Sequence, residues 1–396
     1  MELWVYNGLM KATTELRKFV SPEVITGIDA RLLIDRYLSF FESKKPLIVT
    51  DHTVQKQTWF SGIIETIKKQ VSEFIIFSDV SENPKDIEVH KGLTAYINNN
   101  CDVIVAIGGG SPIDCAKGIA IMATNTGNIL DYEGVDTVKI PGPPLCCIPT
   151  TSGASADVSQ FAIINDTKRS LKIAIISKKL IPDIALIDPV PLMTMDPYLT
   201  ACTGMDALTH AIEAYVSNAS SAITDTHALE AIRLISETIE KAITKERTIE
   251  DMHRMMMAST HAGFAFSNAS LGAVHALAHS LGGLLGLAHG ECNSILLEHV
   301  IDYNFDAEPE RYKNIALKMN LAVNNLNDNE VKKILIEKIR GLRNALGIPA
   351  KKTIPTKSEK ILSQLAQSAY EDPCLVTNPK AMSIDTMKEL YEQILE

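Results

Sequence analysis

No stretch of the chain reaches the roughly 18 uninterrupted apolar residues that a membrane span needs, so no membrane partner is expected. The opening MELWVYNGLMK lacks the basic-then-apolar order of a secretory leader, which points to a cytoplasmic protein. A basic stripe is missing too: 38 Lys and Arg stand against 48 Asp and Glu, for a net charge of -10. Short pairs such as Lys44-Lys45 and Lys178-Lys179 do not track a phosphate backbone, so nucleic acid is excluded as a main partner. Seven cysteines, an odd number with no CxxC pair, make no disulfide framework and read as reduced and buried. Internal repeats, low-complexity segments and a GxGxxG fingerprint are absent as well.

What remains is an ordinary globular composition, 46% hydrophobic and 22% charged. At 396 residues the chain exceeds one ordinary core, so two domains are expected. The first half alternates strand-like runs with amphipathic stretches such as WFSGIIETIKKQVS and KDIEVHKGLTAYINNN. The runs are PLIVTD (46–51), EFIIFSDV (73–80), CDVIVAIGGG (101–110), PLCCIPTT (144–151), KIAIIS (172–177) and DIALIDP (183–189). That alternation predicts an α/β unit with a mostly parallel sheet and helices on its faces. After about Pro191, stretches at helical spacing (200–216, 222–244, 250–269, 308–320, 329–345 and 356–370) predict an all-α second half. The boundary falls in DPVPLMTMDP (188–197), giving domains over 1–190 and 191–396.

In CDVIVAIGGGSPIDCAK a strand ends in Gly108, Gly109 and Gly110, and a helix follows with Ser111 at the expected N-cap, Pro112 at N1 and Asp114 at N3. Freed backbone N–H groups and the positive end of the helix dipole suit a diphosphate, against the plainer account of a tight structural turn. Asp51 directly follows PLIVT, at the carboxyl end of an early strand where ligands gather in open α/β sheets. There it either caps a turn or accepts from an adenosine ribose and repels a 2′-phosphate, favouring NAD. The loop IPTTSGASADVSQ (148–160) offers Thr150, Thr151, Ser152 and Ser155 as donors, and Gly153 allows close approach.

Three of the ten histidines lie in the apolar segment GAVHALAHSLGGLLGLAHGE (272–291): His275, His279 and His289. A buried imidazole needs a hydrogen-bond partner, a metal or a catalytic task. TGMDALTHAIEAY (203–215) adds Asp206 and His210 at i,i+4, on one helix face. An unbroken helix would hold His289 about 21 Å from His275; Gly282, Gly283 and Gly286 offer a break that returns it. One carboxylate with two or three imidazoles suits Fe(II) or Zn(II) and leaves room for a substrate oxygen, but spacing does not choose the odd histidine. His253 and His261 read as packing or surface residues, His227 and His299 lack partners at a recognisable spacing, and Met255 to Met257 read as core.

Taken in order, GGGSPIDCAK, IPTTSGASADVSQ, GMDALTHAIEAY, GAVHALAHSLGG and AHGECN resemble the iron-containing (group III) alcohol dehydrogenase family, from LRKFVSPEVITG to about residue 350. The resemblance implies a Rossmann-like dinucleotide-binding domain without GxGxxG, followed by a helical metal-binding and catalytic domain, with the active site between them. It implies metal ligands at Asp206, His210, His275 and His289, which leaves His279 beside the substrate. Cofactor contacts are implied at Asp51, Gly108, Gly109, Gly110, Ser111, Asp114, Thr150, Thr151 and Lys172. The implied reaction is reversible hydride transfer between NAD(H) and a small primary alcohol or aldehyde held by Fe(II), or alternatively Zn(II), with His279 passing the proton, in a homodimer by default. A zinc polyol dehydrogenase and a lyase of the dehydroquinate synthase type share this architecture, while a metal or nucleotide sensor would carry a further signalling domain. Departures are ITGIDARLL, with a single glycine, and SGASADV, where Ser155 and Asp157 stand for Thr or Gly and Glu. Phe264 and Phe266 are the expected pocket wall.

Overall fold

The computed structural model of the protein describes residues 16–169, 171–354 and 357–396. The segment MELWVYNGLMK, on which the expectation about a leader rests, lies outside them. Nine strands occur among the described residues: β1 Glu23–Thr26, β2 Leu47–Val49, β3 Ile75–Phe77, β4 Ile104–Gly108, β5 Gly134–Val135, β6 Leu145–Pro149, β7 Phe161–Asp166, β8 Leu171–Ile176 and β9 Ile184–Ile187. Six of them form one parallel sheet in the order β1-β9-β6-β4-β2-β3.

The central strands are apolar along their whole length because helices cover both faces. Leu47, Val49, Ile104, Ala106, Leu145 and Cys147 enter one core with the helices Asp86–Asn98 and Gly110–Thr124. The alternate residues Ile48, Val105, Ile107, Cys146 and Ile148 enter the other with Ile34–Phe40 and Thr58–Gln70. The period of two along each strand thus serves two apolar faces. Strand order reverses between β2, which leads outward to β3, and β4, which leads the other way to β6 and β9. At such a reversal the carboxyl ends of adjacent strands open into a crevice, and here these ends are Val49 and Gly108.

A smaller sheet, β5-β8-β7, pairs β7 and β8 antiparallel. The sequence reading foresaw KIAIIS but not FAIIND, and it missed the short edge strand β1 and the two-residue β5. Lys117, fully buried on the Gly110–Thr124 helix, ties that helix to this sheet by donating to the Ser159 and Phe161 carbonyls at 2.7 Å each. Burial lowers its pKa below the ordinary lysine value, while neighbouring Asp114 and Asp157 act to hold the charge.

The second half is helical, as its periodicity predicts. Pro197–Val216, Ala222–Ala242 and Ile249–Ala269 pack together in a third core. Their starts follow local rules: Asp196 caps ahead of Pro197 at N1, and Ser221 and Thr248 open capping boxes. Ile384–Ile394 is a helix that the sequence reading left unassigned. Among the described residues no helix is long and apolar enough to cross a membrane.

Replacing Lys117 by Met keeps its volume but strands two buried carbonyls, so unfolding free energy falls by about 2–4 kcal/mol, measured as a lower midpoint in urea.

Candidate active site

A cavity of about 790 Å³ runs from the carboxyl ends of β2 and β4 to the helical half. Asp51, Gly109, Gly110, Ser111, Asp114, Thr150, Thr151 and Lys172 line one part, and Asp206, His210, His275, His279 and His289 line another. Of the residues that the family resemblance implies as metal ligands, cofactor contacts or proton carrier, Gly108 alone does not border it.

The break between His279 and His289 comes at Gly286, whose φ of 66° terminates the Ala273–Leu285 helix in the left-handed conformation open to glycine. A new helix begins at His289, and its ring centroid lies 5.4 Å from that of His275. Gly282 and Gly283 stay inside the first helix. Gly282 instead makes room for Lys172, whose Nζ would lie 3.1 Å from an added Cβ.

Three imidazoles converge on one oxygen. Asp206 Oδ1 lies 3.6 Å from Nε2 of His275, 3.6 Å from Nε2 of His289 and 3.9 Å from Nε2 of His210. Donor atoms of the four residues all fall within 4.8 Å of one another. Burial alone would raise the Asp206 pKa, but the charges of His210 and His289 and the bond from His275 outweigh it and hold the carboxyl far below its usual range. Burial drives His210 down to about 4 and His289 well below its ordinary value. His275 goes the other way, to about 9: burial opposes its charge, but bonds to Asp206 and Glu213 prevail.

Two supporting side chains escaped the sequence reading. Glu213 Oε2 accepts from His275 Nδ1 at 2.6 Å while its other oxygen accepts from Val274 N, so His275 Nε2 is turned toward Asp206. The signal was present, since Asp206, His210 and Glu213 repeat at i, i+4 and i+7 on one apolar helix. Asn293 Nδ2 donates to Asp206 Oδ1 at 2.6 Å and lies 3.1 Å from His275 Nε2. It follows His289 by four residues, a helical neighbour spacing.

His279 stands apart from this cluster. Its Nδ1 pairs with Asp372 Oδ2 at 2.8 Å, and its ring stacks on His289 at 5.3 Å between centroids. Phe266 stacks on His210 at 4.3 Å and borders the cavity, as expected of a wall residue. Phe264 does not; it packs on Phe19 and His227. His227 also has a partner that its spacing concealed, with its Nδ1 2.8 Å from that of His261.

At the glycine turn the helix starts earlier than the sequence suggests. Gly109 is the N-cap and Gly110 the first helical residue, so Ser111 is not the cap and Asp114 is not N3. The reason is steric. A Cβ on Gly108 would lie 2.5 Å from Pro112 Cγ, and one on Gly110 2.9 Å from Ala154 Cβ, so only this backbone winds here at once. Asp114 points inward, accepting from Ile163 N at 3.3 Å, and burial raises its pKa to about 6. Asp51 caps the short His52–Gln55 helix, and both cap bonds use Oδ1, at 2.8 Å each. Lys172 Nζ donates to Asn83 Oδ1 at 2.7 Å, and its pKa is lowered by burial.

The departure at Ser155 has its own compensation. This residue sits at a φ of 50°, and its Oγ donates to the Ser259 carbonyl at 2.6 Å, which anchors the 150–160 loop to the Ile249–Ala269 helix. Asp157 is buried, and that burial lifts its carboxyl to about 6; it does not border the cavity.

A crevice at a strand-order reversal that opens onto a carboxylate and imidazole cluster is the layout of a metal-dependent oxidoreductase built on an α/β sheet. The chain belongs to the iron-containing alcohol dehydrogenase family. Residues 21–189 match the family description "Iron-containing alcohol dehydrogenase", and residues 200–395 match its C-terminal part. An NAD-dependent methanol dehydrogenase of Bacillus methanolicus is 34% identical over 377 residues, covering 95% of this chain and 99% of its own. A 1,3-propanediol dehydrogenase of Citrobacter freundii is 35% identical over 369 residues, covering 93% of this chain and 95% of that one. The solved alcohol dehydrogenase from Oenococcus oeni superposes with a TM-score of 0.92 at 30% identity, across 96% of this chain and 100% of that one.

Gly263 leaves the space that Ser155 occupies: an added Cβ would lie 2.4 Å from Val158 Cγ2 and 2.6 Å from Ser155 Cβ. Gly263→Ala is therefore expected to cost about 1–3 kcal/mol through overpacking, visible as a lower Tm.

Proposed function

We propose that the protein is an NAD-dependent alcohol dehydrogenase that interconverts a small primary alcohol and its aldehyde at a divalent metal. The observation that carries this reading is that the Asp206, His210, His275 and His289 donor set and the glycine turn after β4 line the same cavity. One carboxylate oxygen and three imidazole nitrogens fit Fe(II) or Zn(II). The Nε2 atoms of His210 and His289 face Asp206, so they are the ones these rings offer. When bound, the ion supplies a Lewis acid for the alcohol oxygen, and NAD supplies the hydride acceptor.

The chain's own groups then divide the work. Backbone N–H groups of Gly109, Gly110 and Ser111 would receive the diphosphate, with Gly108 leaving space for Pro112 behind them. Asp51 has Oδ2 left over from its cap, suited to a ribose hydroxyl and repellent to a 2′-phosphate. Thr150 and Thr151 offer hydroxyl donors, Asp114 supports the turn from within, and Lys172 would donate to a ribose hydroxyl. Phe161, Phe266 and Leu271 wall the part of the cavity near the imidazoles, which favours a small uncharged substrate and limits water. His279, outside the four-residue set, receives the hydroxyl proton. A division into domains 1–190 and 191–396 fits the change from sheet to helices. Seven free cysteines fit a cytoplasmic location, and the family resemblance supports a homodimer.

Protein purified without oxygen or chelator is expected to form NADH from ethanol or butanol, to lose this activity on metal stripping, and to regain it with Fe(II) or Zn(II). Bound metal with no NADH from any alcohol would favour the lyase type, which reoxidises its cofactor within one cycle. His279→Ala should lower turnover by about 100-fold or more at near-normal metal content; loss of the metal would make it a ligand instead. Glu213→Gln should weaken metal binding by about 10–100-fold, read by competition with a chromophoric chelator.

A further inference from the structure

The segment that follows the Glu359–Tyr370 helix is pinned to the start of the helix that bears the catalytic imidazole. Asn378 Oδ1 accepts from Ala273 N at 3.1 Å, Thr377 Oγ1 donates to the Leu271 carbonyl at 2.6 Å, and Asn218 Nδ2 donates to the Asn378 carbonyl at 2.9 Å. Asp372 opens this segment. Its Oδ1 accepts from Cys374 N at 2.8 Å, which fixes the carboxylate plane, and its Oδ2 lies 2.8 Å from His279 Nδ1. Both oxygens are therefore committed to partners within the chain. His279 Nε2 makes no hydrogen bond among the described residues, and the ring borders the cavity.

We propose that Asp372 is a positioning residue for the reaction, holding His279 in the tautomer that carries its proton on Nδ1 and keeps the Nε2 lone pair toward the substrate. The inference rests on the reading of His279 given above. In the oxidation direction the carbinol C–H pair leaves as hydride to the nicotinamide C4, and the O–H pair stays on oxygen to complete the carbonyl. The hydroxyl proton goes to Nε2. The resulting imidazolium holds protons on both nitrogens, is stabilised by the ionised Asp372, and releases the Nε2 proton to solvent, so that alcohol and NAD⁺ give aldehyde, NADH and H⁺. An Nε2-protonated ring has no lone pair to offer at that atom. The carboxylate thus sets which form of the base exists, without itself being protonated.

The test is Asp372→Asn, alone and combined with His279→Ala, in the metal-loaded full chain. Asparagine keeps the cap through Oδ1 but presents Nδ2–H to His279, which drives the proton to Nε2. We expect kcat to fall by about 100-fold or more, with the KM for NAD, metal per chain and Tm near wild type. The double variant should be no slower than His279→Ala by more than about twofold, because one group acts through the other. A kcat within about threefold of wild type, or losses that multiply in the double variant, would overturn the proposal. If the Asn variant does not fold, Asp372→Ser keeps a capping oxygen too short to reach the imidazole. It should lose about 10-fold in kcat with the same non-additivity, and full turnover would count against the inference. Unchanged turnover in His279→Ala itself would instead refute the role given to His279, which keeps the two failures distinct.

Discussion

The Asp206 carboxylate is 4% exposed in a helix of alanine, leucine and methionine. A lone anion there would cost several kcal/mol. Three imidazole Nε2 atoms and the Asn293 amide therefore gather on one of its oxygens. Much of the helical half follows from that convergence. The Ala273–Leu285 helix must approach the Pro197–Val216 helix closely enough to bring in His275, and the chain must then turn at Gly286 to deliver His289 from a second helix. Small residues on these helices permit the approach. A Cβ on Gly290 would lie 2.5 Å from the Cys202 carbonyl, and one on Gly272 2.9 Å from Glu213 Oε1.

The same pairing of a carboxylate with an imidazole Nδ1 occurs twice on the Ala273–Leu285 helix, one turn apart, at Glu213 with His275 and at Asp372 with His279. Each carboxylate holds its imidazole by Nδ1, and each is itself fixed by a backbone N–H, from Val274 and Cys374 respectively. What differs is the direction of the free nitrogen. His275 Nε2 faces Asp206, while among the described residues no carboxylate pairs with His279 Nε2. One device on one helix therefore serves two purposes through a difference of four residues.

The sheet half contributes a different constraint, backbone rather than charge. Gly108 to Gly110 allow a strand to become a helix within three residues, with Pro112 and Ala154 filling the space their side chains would take. Lys117 anchors the far side of that helix to β7, and the Ser155 bond to Ser259 anchors the facing loop to the helical half. The crevice is held open by packing on both sides, so a ligand there meets groups already in place.

The sequence by itself determined the alternation of strand and helix, the helical second half, the glycine turn, and the Asp/His pairs at i,i+4, because periods of two and 3.6 and turn chemistry are local properties of the chain. By spacing alone it could not separate His279 from the other two imidazoles, since i,i+4 neighbours are equivalent until something outside the helix distinguishes them. The tertiary structure decided that: Glu213 reaches one imidazole from 62 positions earlier and Asp372 the other from 93 positions later. It also decided the start of the helix after Gly109, which depends on Pro112 and Ala154, and the partners of β1 and β7, whose short or partly exposed runs carry little pattern of their own. Contacts between distant segments leave no period in the sequence, so only the folded chain reveals them.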